Sequence, residues 1–156
     1  MLTPAILLAL SLQQPFPSGY WQQRLEYRIE ARLDEDQGTL SGTQQVRYHN
    51  NSPDTLRTVS FHLYLNAFRP GSRWADADSV EGRRRFNDLR DPDFGFNRVS
   101  EVTIGGIPVE PVYPFAPDST IVRFALPAAA APGDSFAVSM RWAARPSTVP
   151  RRQGRR

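Results

Sequence analysis

The stretch Leu25-Glu-Tyr-Arg-Ile-Glu-Ala-Arg-Leu33 alternates strictly between apolar and charged residues. This two-residue period is typical of a β-strand with one buried face and one face in water. A polar run at residues 34–38 follows, and residues 40–48 then alternate a second time. Two alternating runs separated by a polar turn predict an antiparallel hairpin.

Five further runs predict short strands, at residues 59–65, 99–104, 107–109, 120–126 and 136–142. Turn-forming residues separate the runs, namely the Asn50-Asn51-Ser52-Pro53-Asp54 cluster, the Gly105-Gly106 pair and Pro132-Gly133-Asp134. The run at 59–65 has the clearest alternation, so we expect it near the centre of the sheet. The chain is therefore predicted to be all-β, an antiparallel β-sandwich or saddle-like sheet of about seven strands.

The composition predicts one domain with many turns. A chain of 156 residues, 40% of them hydrophobic, can bury one substantial core. Its 14 prolines and 10 glycines argue against a helical bundle. We assign the β-domain to residues 20–144. Within it, residues 66–97 lack a periodic pattern and predict one long irregular loop, which is either functional or mobile in a compact domain.

Both ends of the chain differ from this pattern. The apolar run at residues 1–12 is too short to span a bilayer, so we predict a signal peptide at residues 1–14 and an exported protein, periplasmic or extracellular. An uncleaved membrane anchor is the alternative. No later run predicts a stable transmembrane span. Residues 145–156 are rich in arginine and proline and are predicted to be a linker toward a further domain.

Composition and motifs exclude several chemistries. The chain has no cysteine, which excludes a disulfide framework, a thiolate metal site and a cysteine nucleophile. Every basic residue is arginine, and acidic residues are interleaved with the arginines except at the C-terminus. This pattern predicts no nucleic-acid partner. A G-x-S-x-G motif, which would place a nucleophilic serine at a strand-to-helix turn, does not occur.

A zinc hydrolase needs two or three converging ligands and a carboxylate that activates the bound water. The two histidines, His49 and His62, belong to separate predicted strands and lie in the polar phase of each. Neither is part of an H-E-x-x-H motif, which would place two imidazoles on one helix face. We therefore predict solvent-facing histidines, and no catalytic, cofactor-binding or metal-ligating residue in this chain.

Three other groups of residues have both a functional and a structural interpretation. The acidic residues of the 66–97 loop suggest a calcium site. A solvated loop is favoured, because residues 83–85 are all arginine and would repel a cation. The residues Asn50-Asn51-Ser52 match a glycosylation sequon, but a turn is the favoured explanation, because sequons are common by chance. Tryptophans could line a sugar-binding face, although aromatic residues in strands are more often core. The acidic residues are Asp76, Asp78, Glu81, Asp88, Asp91 and Asp93, and the tryptophans are Trp21, Trp74 and Trp142, of which Trp74 alone lies outside the predicted strands and their flanks.

Two motifs resemble a known family. The stretch Tyr48-His-Asn-Asn-Ser-Pro-Asp-Thr-Leu56 and the stretch Phe61-His-Leu-Tyr-Leu-Asn-Ala-Phe68 resemble the N-terminal domain of bacterial zinc aminopeptidases related to aminopeptidase N, the gluzincins. Leu65 stands where proline is more frequent in that family. The resemblance continues more loosely through Gly105-Gly106 and the Pro132-Gly133-Asp134-Ser135 turn.

The resemblance implies a supporting function. Members of the family carry the H-E-x-x-H zinc helix, a glutamate ligand, a G-x-M-E-N strand and a catalytic tyrosine in the domain that follows, and none of these occurs here. We therefore expect a chain truncated before a zinc-containing catalytic domain of a metallopeptidase. Its expected partners are that catalytic domain and, in the cleft they share, the peptide substrate. The alternative is an independent exported β-sandwich that binds carbohydrate or protein.

Overall fold

A computed structural model of the protein describes residues 19–149. The predicted signal peptide at residues 1–14 lies outside this range, as do residues 150–156 of the predicted linker. Within it the chain forms seven strands, one 3-10 helix and one α-helix. The strands are β1 (Arg24–Asp34), β2 (Thr39–His49), β3 (Leu56–His62), β4 (Phe96–Ile104), β5 (Ile107–Pro108), β6 (Ile121–Ala130) and β7 (Ser135–Arg145); the 3-10 helix is Tyr64–Ala67 and α1 is Arg73–Val80.

The strands form two antiparallel sheets. The large sheet has five strands in the order β1-β2-β7-β4-β5, and the small sheet consists of β3 and β6. The prediction of an all-β chain with about seven antiparallel strands is confirmed. The expectation that the strand after Val59 lies at a sheet centre is wrong, since β3 pairs with β6 alone among the described strands.

The hydrophobic core lies between the two sheets. From the large sheet, the inward-facing side chains include Val46, Val138 and Met140, which are at most 5% exposed. From the small sheet, Val122 and Phe124 are fully buried, and Phe124 makes an edge-to-face contact with Phe61. The two-residue alternation of the strands places these residues on facing surfaces, which is how a sandwich buries its apolar side chains.

The predicted turns form where the sequence places them. Gly105 and Gly106 have φ angles of +59° and +82°, and they join β4 to β5 in a two-residue hairpin. Two consecutive positive φ angles are the requirement of a type I′ turn, which glycine meets without steric cost. Between β1 and β2, the Asp34 carboxylate accepts a hydrogen bond from the Gln37 backbone N–H at 2.9 Å. Local turn chemistry therefore fixes both hairpins.

Asn50 links two of the four places where the chain passes between the sheets. Its side chain is fully buried, and its Nδ2 donates to the carbonyl oxygens of Asp54, Ala130 and Ala131 at 2.8–3.1 Å. Its Oδ1 accepts from the Ser52 hydroxyl at 2.6 Å. The turn after β2 is thereby tied to the turn between β6 and β7. The amide of the sequon is engaged inside the fold, which agrees with the turn interpretation.

The segment between residues 66 and 97 is more ordered than the sequence predicted. It contains α1, whose first turn is capped by the Ser72 hydroxyl accepting a hydrogen bond from the Ala75 N–H at 3.0 Å. Phe86 is fully buried and packs edge-to-face on Phe68. Buried Asn66 fastens the segment to the large sheet, because its Oδ1 accepts from the Asn97 N–H at 2.7 Å. The segment therefore has a small core of its own.

Two boundaries differ from the predicted ones. The run predicted as a strand over residues 59–65 leaves the sheet at His62, and residues 64–67 form the 3-10 helix. At the other end of the domain, β7 extends to Arg145, the first residue of the predicted linker, and Arg145 and Ser147 are buried. The Ser147 hydroxyl donates to the Asp93 carbonyl oxygen at 3.0 Å. Residues 145–147 therefore pack against the end of the 66–97 segment.

Candidate interaction surface

The apolar side chains of β1 lie on the inward side of the large sheet but are exposed. Ile29 pairs with Gln44 and Tyr27 pairs with Val46, so the odd-numbered residues of β1 share the face that carries the core residues of β2. Nevertheless Tyr27, Ile29 and Leu33 are 54–56% exposed, and Leu25 is 38% exposed. We call this surface, formed by Leu25, Tyr27, Ile29 and Leu33, the β1 face.

The exposure follows from the unequal widths of the two sheets. Neighbouring strands lie about 4.8 Å apart, so five strands present a far wider surface than two can cover. The small sheet packs over residues of β2, β7 and β4. Among residues 19–149, no strand lies above β1. The β1 face therefore continues the inner surface of the sandwich beyond its cover.

A groove of about 240 Å³ joins the β1 face to the covered core. Its walls combine residues of both sheets with the chain that follows β3: Ile29, Gln44, Phe61, His62, Leu63, Asn97, Val99, Met140 and Trp142. Across the sheet, Trp142 pairs with Gly42 on β2, and Gly42 pairs with Ala31 on β1. These two small residues leave space beside the indole ring.

Two buried polar atoms in the groove lining lack a hydrogen-bond partner within the described part of the chain. They are Nε1 of Trp142, a donor, and Oδ1 of Asn97, an acceptor. A buried polar atom without a partner costs about 1–3 kcal/mol, so most such atoms in native proteins are satisfied. Because both atoms are buried, each bears this cost within the folded chain.

Gly42 is required for β1 to pair with β2. A Cβ built at this position would lie 2.0 Å from the backbone oxygen of Glu30. No real side chain tolerates that approach to a backbone atom. The position of β1, and with it the position of the β1 face, thus depends on the absence of a side chain at residue 42.

The structure separates the two histidines. His49 ends β2 in the large sheet, where its Nδ1 shares a hydrogen bond with the Ser135 hydroxyl at 2.8 Å. His62 ends β3 in the small sheet and stacks on Tyr64 with the ring centroids 5.0 Å apart. Within residues 19–149, no three histidine or acidic residues are grouped so that they could hold a metal ion. His49 and His62 are therefore not brought together as ligands of one metal ion.

The acidic residues of the 66–97 segment pair with arginines. Asp78 is buried on α1 and accepts hydrogen bonds from Arg85 and, at 3.0 Å, from Nε of Arg83. The Arg85 guanidinium, and secondarily Arg83, lower the pKa of the Asp78 carboxyl far below its usual range. Arg84 pairs with Asp88 and Arg145 pairs with Asp91. These carboxylates form ion pairs with arginines that stabilise the segment, and they give no support to a calcium site.

The tryptophans occupy three different environments. Trp142 is partly buried in the groove, and Trp21 precedes β1 and is 45% exposed. Trp74 lies on α1, is 50% exposed and leans on Phe68 with the ring centroids 5.9 Å apart. It also borders a shallow groove with Asp78, Glu81, Arg83 and Arg85. An exposed indole beside charged side chains is a feature of sugar-binding sites as well as of protein interfaces.

No family model matches this chain, and no curated protein matches it.

In residues 19–149, no helix is both long and apolar enough to cross a membrane.

The groove could not be predicted from the sequence. Of its residues, Trp142 was a candidate for a sugar-binding face and His62 for a metal ligand, and neither role indicated an apolar groove. The signal that was available is the Ala31–Gly42 pair, because two small residues facing each other on an inner surface create space. Interpreting it required the β1–β2 register and the position of the small sheet, which only the structure supplies.

Proposed function

We propose that this chain is a non-catalytic N-terminal module of a zinc aminopeptidase-like metallopeptidase, and that the β1 face docks against the catalytic domain beside the substrate cleft. The observation that carries the proposal is the exposure of the β1 face on the inner side of the sheet. The two family-like motifs support it from the sequence, since they lie in the turn after β2 and at the end of β3.

The chemistry of the surface indicates the kind of contact. Four large apolar side chains beside a groove favour a dry protein interface, and exposed apolar patches of this kind mark interaction sites. Burying the β1 face would stabilise the complex at about 25 cal/mol per Å² of apolar surface removed from water, less the cost of association.

Catalysis is assigned to the partner domain, where the zinc ion would be bound. The first test is an assay of the purified chain with amino-acid arylamides and added zinc. We expect no hydrolysis. Turnover that is abolished by a chelator would contradict the proposal.

The second test measures docking. The chain is titrated with a gluzincin catalytic domain encoded in the same genome, and binding is followed by calorimetry. Tyr27→Asp places a charge in the interface and should weaken binding at least about tenfold, because a buried charge without a partner is costly. Ile107→Asp, at a residue equally exposed on β5, should leave binding unchanged. Equal effects of both variants would contradict docking through the β1 face.

The second candidate function is carbohydrate or protein binding by an independent exported β-sandwich. The observation that favours it is the exposed indole of Trp74 in the groove beside Glu81 and Arg83. A glycan array probed with the chain and with Trp74→Ala distinguishes the two functions. Binding that the substitution abolishes supports this second function, and the absence of any bound glycan removes its carbohydrate form.

A further inference from the structure

The outer strand of the large sheet carries a charge pattern that is complementary to itself. The even-numbered residues of β1, from Arg24 to Asp34, read Arg, Glu, Arg, Glu, Arg, Asp. Their side chains project on the side of the sheet opposite the β1 face. Among the strands of residues 19–149, β1 is the outermost of its sheet, so about half of its residues direct their backbone N–H and C=O groups toward the edge.

We propose that β1 pairs antiparallel with β1 of a second copy of this chain, around a two-fold axis at Ile29. In this register the residue numbers of the two residues that face each other always add up to 58. Arg24 then faces Asp34 of the second copy, Glu26 faces Arg32, and Arg28 faces Glu30. Each of these pairs occurs twice by symmetry, so all six charged residues of each strand face a residue of opposite charge.

The same pattern disfavours the neighbouring registers. A shift of two residues places like charges opposite each other wherever two charged residues of the paired β1 strands face one another. A shift of one residue would place charged side chains among the apolar ones, because successive residues of a strand point to opposite faces. Parallel pairing in register would also oppose like charges. The full-length antiparallel register around Ile29 is therefore the one that the charges select.

Within a single copy, few of these charged residues face an opposite charge on β2. Across the β1–β2 pair, Glu26 faces Arg47, whereas Arg28, Glu30 and Arg32 face the uncharged residues Gln45, Thr43 and Ser41. Two ion pairs of β1 run along the strand, from Arg24 to Glu26 at 2.6 Å and from Arg28 to Glu30 at 3.2 Å, and their side chains are about half exposed or more. The Glu26 carboxylate also lies 3.6 Å from Nε2 of His49 on β2. Exposed pairs of this kind contribute little, so exchanging them for pairs across the edge costs little.

The apolar residues of β1 favour the same register. Ile29 would lie beside Ile29 of the second copy, Leu25 beside Leu33, and Tyr27 beside Ala31. Each of Leu25, Tyr27, Ile29 and Leu33 is between 38% and 56% exposed and would lose part of that exposure. Charges at a sheet edge commonly prevent strand pairing. A run of one sign would do so here, but alternating signs with this symmetry disfavour the registers shifted by two residues and permit this one, which pairs more of the strand than a shift of four.

Self-pairing uses the edge of the sheet, whereas docking of a catalytic domain uses its face. The two interactions therefore fail independently. A charge substitution on the outward side of β1 changes the edge and leaves the β1 face unaltered.

The experiment is sedimentation velocity of the full chain over a range of concentrations. We expect a monomer–dimer equilibrium whose dissociation constant rises about tenfold or more in Arg28→Glu and in Glu30→Arg, because each change creates two like-charge pairs. Mixing the two variants restores opposite charges in a heterodimer and should recover association. The double variant Arg28→Glu/Glu30→Arg should also recover it. Arg123→Glu, the same charge change on β6, is the control and should leave association unchanged.

Cross-linking then tests the register. The chain has no cysteine, so Ile29→Cys introduces one thiol per copy, directly opposite its symmetry mate, and should oxidise to a covalent dimer. Ile107→Cys, at a residue 55% exposed against 54% for Ile29, should cross-link far more slowly. A chain that stays monomeric at all concentrations would overturn the proposal, whether its edge is free or covered by another part of the same chain. A dimer insensitive to Arg28→Glu and Glu30→Arg would overturn it equally.

Discussion

Strands β1 and β3 have the same alternating sequence pattern, but the apolar side chains of β3 are largely buried and those of β1 are exposed. In β3, Val59 is 7% exposed and the core continues through Leu63 just after the strand, at 3%. In β1, the apolar residues stay about half exposed although they face the same interior. The alternation identifies which side of a strand is apolar, but it does not determine what covers that side. In this chain the difference is set by a two-stranded sheet that cannot cover a five-stranded one.

The largest effect should come from truncating the covered region. Phe124→Ala removes a fully buried ring that packs on Phe61, and we expect a loss of about 3–5 kcal/mol in the free energy of unfolding. Tyr27→Ala removes a ring of similar size from the β1 face and should change stability by less than about 0.5 kcal/mol. Urea denaturation measures both. Similar losses for the two variants would mean that β1 is covered in solution.

A smaller loss of stability is expected at Asn50, which ties the turn after β2 to the turn between β6 and β7. Asn50→Asp replaces a buried donor, bonded to three carbonyl oxygens, with an acceptor facing those oxygens. We expect a loss of about 3 kcal/mol in the free energy of unfolding. Asn51→Asp, the same change at the exposed neighbouring residue, is the control. If both variants unfold at the same urea concentration, the Asn50 network does not connect the sheets.

Gly42→Ala should act on β1 more than on the rest of the fold. The added Cβ has no room beside the Glu30 backbone oxygen, so we expect a loss of about 1–3 kcal/mol and faster amide hydrogen exchange in β1. The amides of β3 and β6 should keep their protection from hydrogen exchange. Ser41→Ala, on the exposed side of the same strand, should change neither quantity. Uniform loss of protection over both sheets would show that β1 is integral to the core.

The smallest effect should be confined to the segment around α1. The pKa of Asp78 is lowered in the folded chain, so the stability it contributes is complete above its ordinary range and is lost as the pH falls below about 4. We expect the protection of amides in residues 73–86, measured relative to their intrinsic exchange rates at each pH, to fall on acidification before the protection of β7 does. Asp78→Asn should remove this pH dependence. An unchanged loss of protection in that variant would assign it to other carboxylates.

Local features of the fold could be predicted from the sequence. The β1–β2 hairpin and the Gly105-Gly106 turn each depend on residues that are adjacent in the chain. The α-helix was missed although Ser72 is a recognisable N-cap residue, because the helix has only eight residues and no strong apolar period. The end of β3 was missed because Leu65 continues the alternation while the backbone already turns.

The candidate surface could be predicted only in part. The apolar identity of the β1 face was apparent, since its residues alternate strictly. Its exposure was not apparent, because exposure depends on which strands form the second layer and how many there are. The unpaired Trp142 N–H likewise arises from the positions of four strands around it.

Methyl NMR of the chain titrated with a gluzincin catalytic domain tests whether the β1 face is an interaction surface. We expect the methyl signals of Leu25, Ile29 and Leu33 to shift on titration while those of Ile107 stay in place. Shifts confined to Ile107 or to other residues remote from β1, or no shift at saturating concentration, would contradict it.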